Sequence, residues 1–71
     1  MKLPRDISGP EAVKALRRLG FEVVRQEGSH IRMSRGPVHL TVPNHRQIVP
    51  KTLQSILRHA AITLEAFMEQ L

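Results

Sequence analysis

Apolar and polar positions along this chain follow first a helical period and then a period of two. The first helical face is formed by Ala12, Val13, Leu16 and Leu19. Before this face, Ser8 and Glu11 have the spacing of a capping box, in which each side chain caps the other residue's amide. Gly20 is placed to end the helix in a left-handed conformation. The pattern therefore predicts a helix between Ser8 and Gly20.

Three short strands are predicted next, at Phe21–Arg25, His30–Arg35 and Val38–Val42. Gln26–Ser29 and Arg35–Pro37 have the composition of turns. In the second and third strands, one face carries the apolar residues Ile31, Met33, Val38, Leu40 and Val42. The other face carries His30, Arg32, His39 and Thr41. Such alternation indicates a sheet with one buried face and one solvated face.

Two more helices are predicted after the strands, the first beginning at Pro50. Its apolar face is formed by Leu53, Ile56, Leu57 and Ala60. Thr63 can cap a short last helix whose apolar positions are Leu64, Phe67, Met68 and Leu71. The prediction is a single α+β domain over residues 1–71. Its order is α-β-β-β-α with a short terminal helix, as in double-stranded-RNA-binding domains. Three antiparallel strands need both main helices on one face, which leaves the other face open.

The net charge limits the kinds of partner that the chain is expected to bind. The chain has 71 residues and a net charge of +5, and there is no Asp or Glu from Gly28 through Leu64. An anionic partner is expected: nucleic acid, an acidic protein or a membrane surface. The cations are spread over strands and a helix, which disfavours the membrane. Only Phe21 and Phe67 are aromatic, so RNA would be bound mainly through its phosphates.

His30 is the strongest candidate for chemistry, since it follows the Gly28-Ser29 turn within this cationic stretch. Gly28 would shape the site by allowing a close turn, and Ser29 and Arg32 would hold phosphate. A neutral imidazole beside a ribose 2′-hydroxyl can remove its proton and start cleavage of RNA without a metal. The alternative for His30 is an ordinary surface histidine beside a turn.

Other candidates are weaker. Arg35 and Lys51 are further possible phosphate ligands, and His39 is a possible accessory acid on the neighbouring strand. The spacing of the four histidines matches no compact metal-ligand motif, and we expect neither a metal nor another cofactor. The chain has no cysteine, no signal peptide and no apolar run that could span a bilayer, so we expect a cytoplasmic protein.

Several segments, in order, resemble the HicA (YcfA-like) family of mRNA interferase toxins. The segments are Leu19–Val23, Gln26–His30, Val42–His45, Thr52–Leu57 and Ile62–Phe67. Many relatives have a second histidine where this chain has Ile31, and a glycine where it has Lys51.

The resemblance implies a double-stranded-RNA-binding-like fold and cleavage of mRNA, with the histidine of Gly-Ser-His, here His30, as the catalytic residue. It also implies a cognate HicB antitoxin that covers the site. The interpretation is a metal-independent endoribonuclease toxin. A non-catalytic RNA-binding module is an alternative, and so is an interaction domain for an acidic protein.

Overall fold

The computed structural model describes residues 7–71. Its elements follow in the order α1 (Gly9–Arg18), β1 (Glu22–Glu27), β2 (His30–Arg35), β3 (Val38–Pro43), α2 (Pro50–Ala60) and α3 (Leu64–Glu69). The strands form one antiparallel sheet in the order β1-β2-β3. The predicted α-β-β-β-α order with a short terminal helix is therefore confirmed.

Helix α1 is delimited by local hydrogen bonds that the sequence predicts. The Ser8 amide donates to Glu11 Oε1 over 3.1 Å, and the Glu11 amide donates to Ser8 Oγ over 3.2 Å, which completes the capping box. At the other end, the Phe21 amide donates to the Leu16 carbonyl over 3.0 Å, and Gly20 has a φ of 101°. This arrangement satisfies carbonyls of the last turn and directs the chain into β1.

Two-residue turns join the three strands. Gly28 and Gly36 occupy the first central position of their turns, with φ values of 58° and 59°. A positive φ at this position alone is the pattern of a type II′ hairpin turn, which matches the twist of paired strands. The sequence prediction ended β1 at Arg25 and placed Gln26 and Glu27 in the turn. That boundary was wrong, because the hairpin needs only Gly28 and Ser29, and β1 continues through Glu27.

Strand alternation separates a buried face from an open face as predicted. Ile31, Met33, Leu40 and Val42 are buried under the helices, whereas His30 and Arg32 are exposed. Val38, which was also expected in the core, is only half-buried at the start of β3. The register therefore places His30 on the open face.

The core extends beyond the faces that the pattern predicts. Ile48 lies in the connection between β3 and α2 and is fully buried with Phe21 and Phe67. In the last helix only Phe67 is buried and Met68 is exposed; Leu71, predicted on the same apolar face, is exposed beyond the end of the helix at Glu69.

Candidate active site on the open face of the sheet

The open face is the exposed surface of the sheet. Its charged and polar side chains are those of Glu22, Arg25, Glu27, His30, Arg32, Ser34, His39 and Thr41. Strand pairing fixes their neighbours: Arg32 lies between Arg25 on β1 and Thr41 on β3, and His30 lies opposite Glu27. Directly paired residues project from the same face of a sheet, with Cβ atoms about 5 Å apart.

His30 lies in a shallow depression of about 300 Å³ at one end of this face. The depression is lined by Glu27, His30, Arg32 and Thr41. His30 follows the hairpin turn directly, and its imidazole is exposed and accessible to a large substrate. The depression therefore combines a possible proton acceptor, a guanidinium group and a hydroxyl group.

Glu27 is the site residue that the sequence interpretation missed. Its Oε1 atom lies 3.4 Å from Arg25 Nε and 3.4 Å from Arg32 Nε, so one carboxylate bridges two guanidinium groups. The missed signal was the turn: a two-residue Gly28-Ser29 loop requires the residues that flank it to pair. The surface around His30 therefore carries the negative charge of Glu27 beside the positive charges of Arg25 and Arg32.

A β-bulge shapes the outer part of the open face. Val23 pairs with Met33 and Arg25 pairs with Arg32, which leaves Val24 without a partner in the register. Val24 and Arg25 border a second depression on the open face, together with Arg32 and Thr41. The bulge therefore permits Val23 to lie on the helical side of the sheet while Arg25 and Glu27 lie beside Arg32.

Backbone hydrogen bonds hold the turn before His30. The Ser29 carbonyl accepts from the Asn44 amide over 2.7 Å, and in the same loop the His45 carbonyl accepts from the Gly9 amide over 2.8 Å. These two hydrogen bonds connect the hairpin turn to the loop after β3, and that loop to the start of α1. Ser29 is exposed, and its hydroxyl remains a candidate hydrogen-bond donor to an RNA phosphate.

Arg35, predicted as a phosphate ligand, has a structural role instead. Its Nη1 donates to the Leu19 carbonyl over 3.0 Å and its Nη2 donates to the Ala60 carbonyl over 3.3 Å. The guanidinium carbon lies 4.7 Å from the centre of the Phe21 ring. Strand alternation puts Arg35 on the face opposite His30, where its charge stabilises the carbonyl ends of two helices. We therefore remove Arg35 from the site.

His39 shares the open face with His30 but lies at its other end. His30 pairs with Pro43 and His39 pairs with Ser34, a separation of four residues along β3. At about 3.3 Å per residue, the two positions are roughly 13 Å apart along the sheet. His39 lines depressions with Arg32 and Thr41, and with His59 of α2, rather than the one that contains His30.

Lys51 lies apart from the residues around His30. It is exposed in the first turn of α2, which contains no acidic residue. Within the described part of the chain, no hydrogen bond or ion pair joins it to the open face. Residues 7–71 also contain no group of three or more His, Cys, Asp or Glu side chains that could hold a metal ion.

Residues 7–71 thus form an α+β domain of the order α-β-β-β-α, whose open sheet face carries an exposed histidine beside an arginine. The family described as the HicA toxin of bacterial toxin–antitoxin systems matches residues 9–62. This match spans most of the chain, including both main helices and all three strands, and the protein belongs to the HicA toxin family. No curated protein gives a significant match to the sequence.

Family membership establishes the protein as a toxin of a toxin–antitoxin system, and such a system implies an antitoxin partner. None of the helices in residues 7–71 has the length and apolar composition needed to span a bilayer.

Proposed function

We propose that this toxin is a metal-independent endoribonuclease that cleaves mRNA with His30 as its general base. The observation that supports this proposal most directly is the exposed position of His30 beside Arg32 in one depression of the open face. The proposal also draws on the family, which supplies the role of toxin.

In the proposed reaction, the neutral imidazole of His30 takes the proton of a ribose 2′-hydroxyl. The 2′ oxygen then attacks the adjacent phosphorus, and the bond from phosphorus to the 5′ oxygen breaks. The leaving oxygen takes a proton from water. The products are a 2′,3′-cyclic phosphate and a 5′-hydroxyl end, and no metal is needed as electrophile.

Arg32 is the proposed ligand of the phosphate that reacts. Its guanidinium group can donate two hydrogen bonds to phosphate oxygens and stabilise the charge that develops on them. Thr41, which pairs with Arg32 and lines the same depression, offers a hydroxyl donor. Ser29 and Gly28 would position the turn, and Lys51 would bind RNA phosphates further away.

The protein partner is proposed to be a HicB-like antitoxin that covers the open face and so blocks His30. Toxin and antitoxin would act in the cytoplasm, where mRNA is available. The test of the nuclease is RNA cleavage by the purified wild type and the His30→Ala variant. Binding without cleavage by both proteins would instead indicate a non-catalytic RNA-binding module.

We expect Arg32→Ala to weaken RNA binding through the loss of one phosphate contact. For single-stranded RNA, the slope of log affinity against log salt should become shallower by about 0.7. The measurement is a salt titration by fluorescence anisotropy with a labelled oligonucleotide. Arg58→Ala is the matched control, because Arg58 is also exposed but lies in the last turn of α2. Equal slopes for the two variants would show that the open face is not the RNA site.

We expect Glu27→Gln to tighten RNA binding, since the carboxylate competes with phosphate for Arg25 and Arg32. Exposed ion pairs are worth roughly 0.2–1 kcal/mol, so removal of the competition should raise affinity about 1.5- to 5-fold. Glu69→Gln makes the same charge change at an exposed position of helix α3 and serves as control. A gain as large in Glu69→Gln would mean that only net charge matters.

A further inference from the structure

A groove of about 590 Å³ lies between α1 and β1, on the helical side of the sheet. Its apolar lining comes from Pro10, Val13, Val23 and Ile31. The groove exists because α1 leaves β1 uncovered: all six residues of β1 are exposed, whereas β2 and β3 each bury two. This surface faces away from the depression that contains His30.

Among residues 7–71, strand β1 is also a free edge of the sheet. Within that range it pairs only with β2, and its apolar residues Val23 and Val24 are 45% and 59% exposed. An edge strand presents unpaired N–H and C=O groups that can pair with another extended segment. Exposed valines on such a strand add apolar surface that a partner can bury.

The side of the groove formed by α1 is basic. Lys14, Arg17 and Arg18 line it, and no Asp or Glu is among the described lining residues. Arg18 donates to the Gln70 carbonyl over 3.0 Å. The side chains of Lys14 and Arg17 make no hydrogen bond or ion pair within residues 7–71, so their charges are available to a partner with acidic side chains.

Two other occupants fit these observations less well. A second copy of this chain paired along β1 would bring two sets of Lys14, Arg17 and Arg18 together, in a protein of net charge +5. RNA could contact only the cations of the groove, since Phe21 and Phe67, on which its bases could stack, are both buried. It would also leave the apolar lining and the edge strand unused.

We propose that the β1 edge and the α1–β1 groove bind an extended segment of the antitoxin, with acidic and apolar side chains, as a fourth strand of the sheet. Its backbone would pair with β1, its apolar side chains would contact Val23, and its carboxylates would pair with Lys14 and Arg17. This inference rests on the proposed pairing with an antitoxin and does not depend on nuclease activity.

The groove also extends to the turn that precedes His30. Gln26 and Asn44 line it, the Gln26 amide group donates to the Gly28 carbonyl over 3.3 Å, and the Asn44 amide donates to the Ser29 carbonyl. A segment seated along β1 therefore ends beside Gly28 and Ser29. It would anchor the antitoxin while another part of that protein covers the open face.

The test uses the whole chain and its cognate antitoxin. The double variant Lys14→Glu/Arg17→Glu should raise the dissociation constant at low salt at least about tenfold, since two attractions become repulsions. The control Arg46→Glu/Arg58→Glu makes the same change in net charge at exposed positions outside the groove and should have a much smaller effect. The amides of Glu22–Glu27 that do not bond to β2 should gain protection from hydrogen exchange only in the complex.

Each contrary outcome has a distinct meaning. Equal effects of the two double variants, or no gain in protection of the outward β1 amides in the complex, overturn the docking site and leave the nuclease proposal intact. An oligonucleotide whose binding falls as steeply as that of the antitoxin in the groove variant would assign the groove to RNA instead. A β1-linked dimer of the free chain would assign the edge to a second copy. An antitoxin that does not bind at all overturns the docking site and the pairing together.

Discussion

Replacement of His30 by alanine should abolish most RNA cleavage while the protein stays folded and still binds RNA. Loss of a general base lowers rates by a factor on the order of 10² to 10⁴. The side chain is exposed and makes no hydrogen bond or ion pair within residues 7–71, so its removal leaves no cavity and no unpaired partner. The stability change should remain within about 0.5 kcal/mol. Arg25 and Arg32 stay in place and continue to attract phosphate.

The measurement is cleavage of a defined RNA by purified proteins, together with thermal unfolding and RNA binding of each. His59→Ala is the matched control, because His59 is exposed in the last turn of α2. His39→Ala tests the accessory acid, and its distance from His30 leads us to expect activity close to wild type. Equal cleavage by wild type and His30→Ala would remove His30 from the mechanism, and EDTA should leave wild-type activity unchanged.

The fold was predictable because its elements carry strong local signals. The Ser8–Glu11 capping box, Gly20 and the alternation in β2 and β3 each specify their structure within a few residues. The faces of β2 and β3 therefore followed from periodicity alone. Ile48 did not, because a single buried residue in a loop has no period by which to recognise it.

The site was only partly predictable, since two of its features depend on tertiary geometry. Glu27 joins Arg25 and Arg32 only once the exact turn length is known. Arg35 has the same charge as Arg32 and belongs to the same strand. Its side chain lies on the opposite face of the sheet, where it donates hydrogen bonds to carbonyl groups at the ends of two helices. Charge counted along the sequence cannot distinguish a cation that is available to phosphate from one that already caps a helix.

Gly9→Ala should lower the free energy of unfolding more than His30→Ala or the other surface substitutions. The sequence alone does not reveal this role of Gly9. A Cβ atom at Gly9 would lie 2.5 Å from the Pro43 carbonyl oxygen and 2.7 Å from Asn44 Cα. Both atoms belong to backbone, so the loop after β3 must move. Alanine favours helix by up to about 1 kcal/mol relative to glycine, but this gain is smaller at a helix start than in the interior.

We therefore expect a net loss of roughly 1–3 kcal/mol from Gly9→Ala, which corresponds to a fall in Tm of several degrees or more for a domain of this size. Gly36→Ala is the control, since a Cβ there meets nothing within 4 Å and the cost is confined to a left-handed backbone. Because the displaced loop donates the Asn44 amide to the Ser29 carbonyl, exchange of that amide should accelerate in Gly9→Ala and not in Gly36→Ala. RNA cleavage should also decrease in Gly9→Ala, because the turn before His30 loses the hydrogen bond between Asn44 and Ser29. A Gly9→Ala protein with wild-type Tm and an unchanged Asn44 amide would show that the loop adapts without cost, and that α1 does not hold the site.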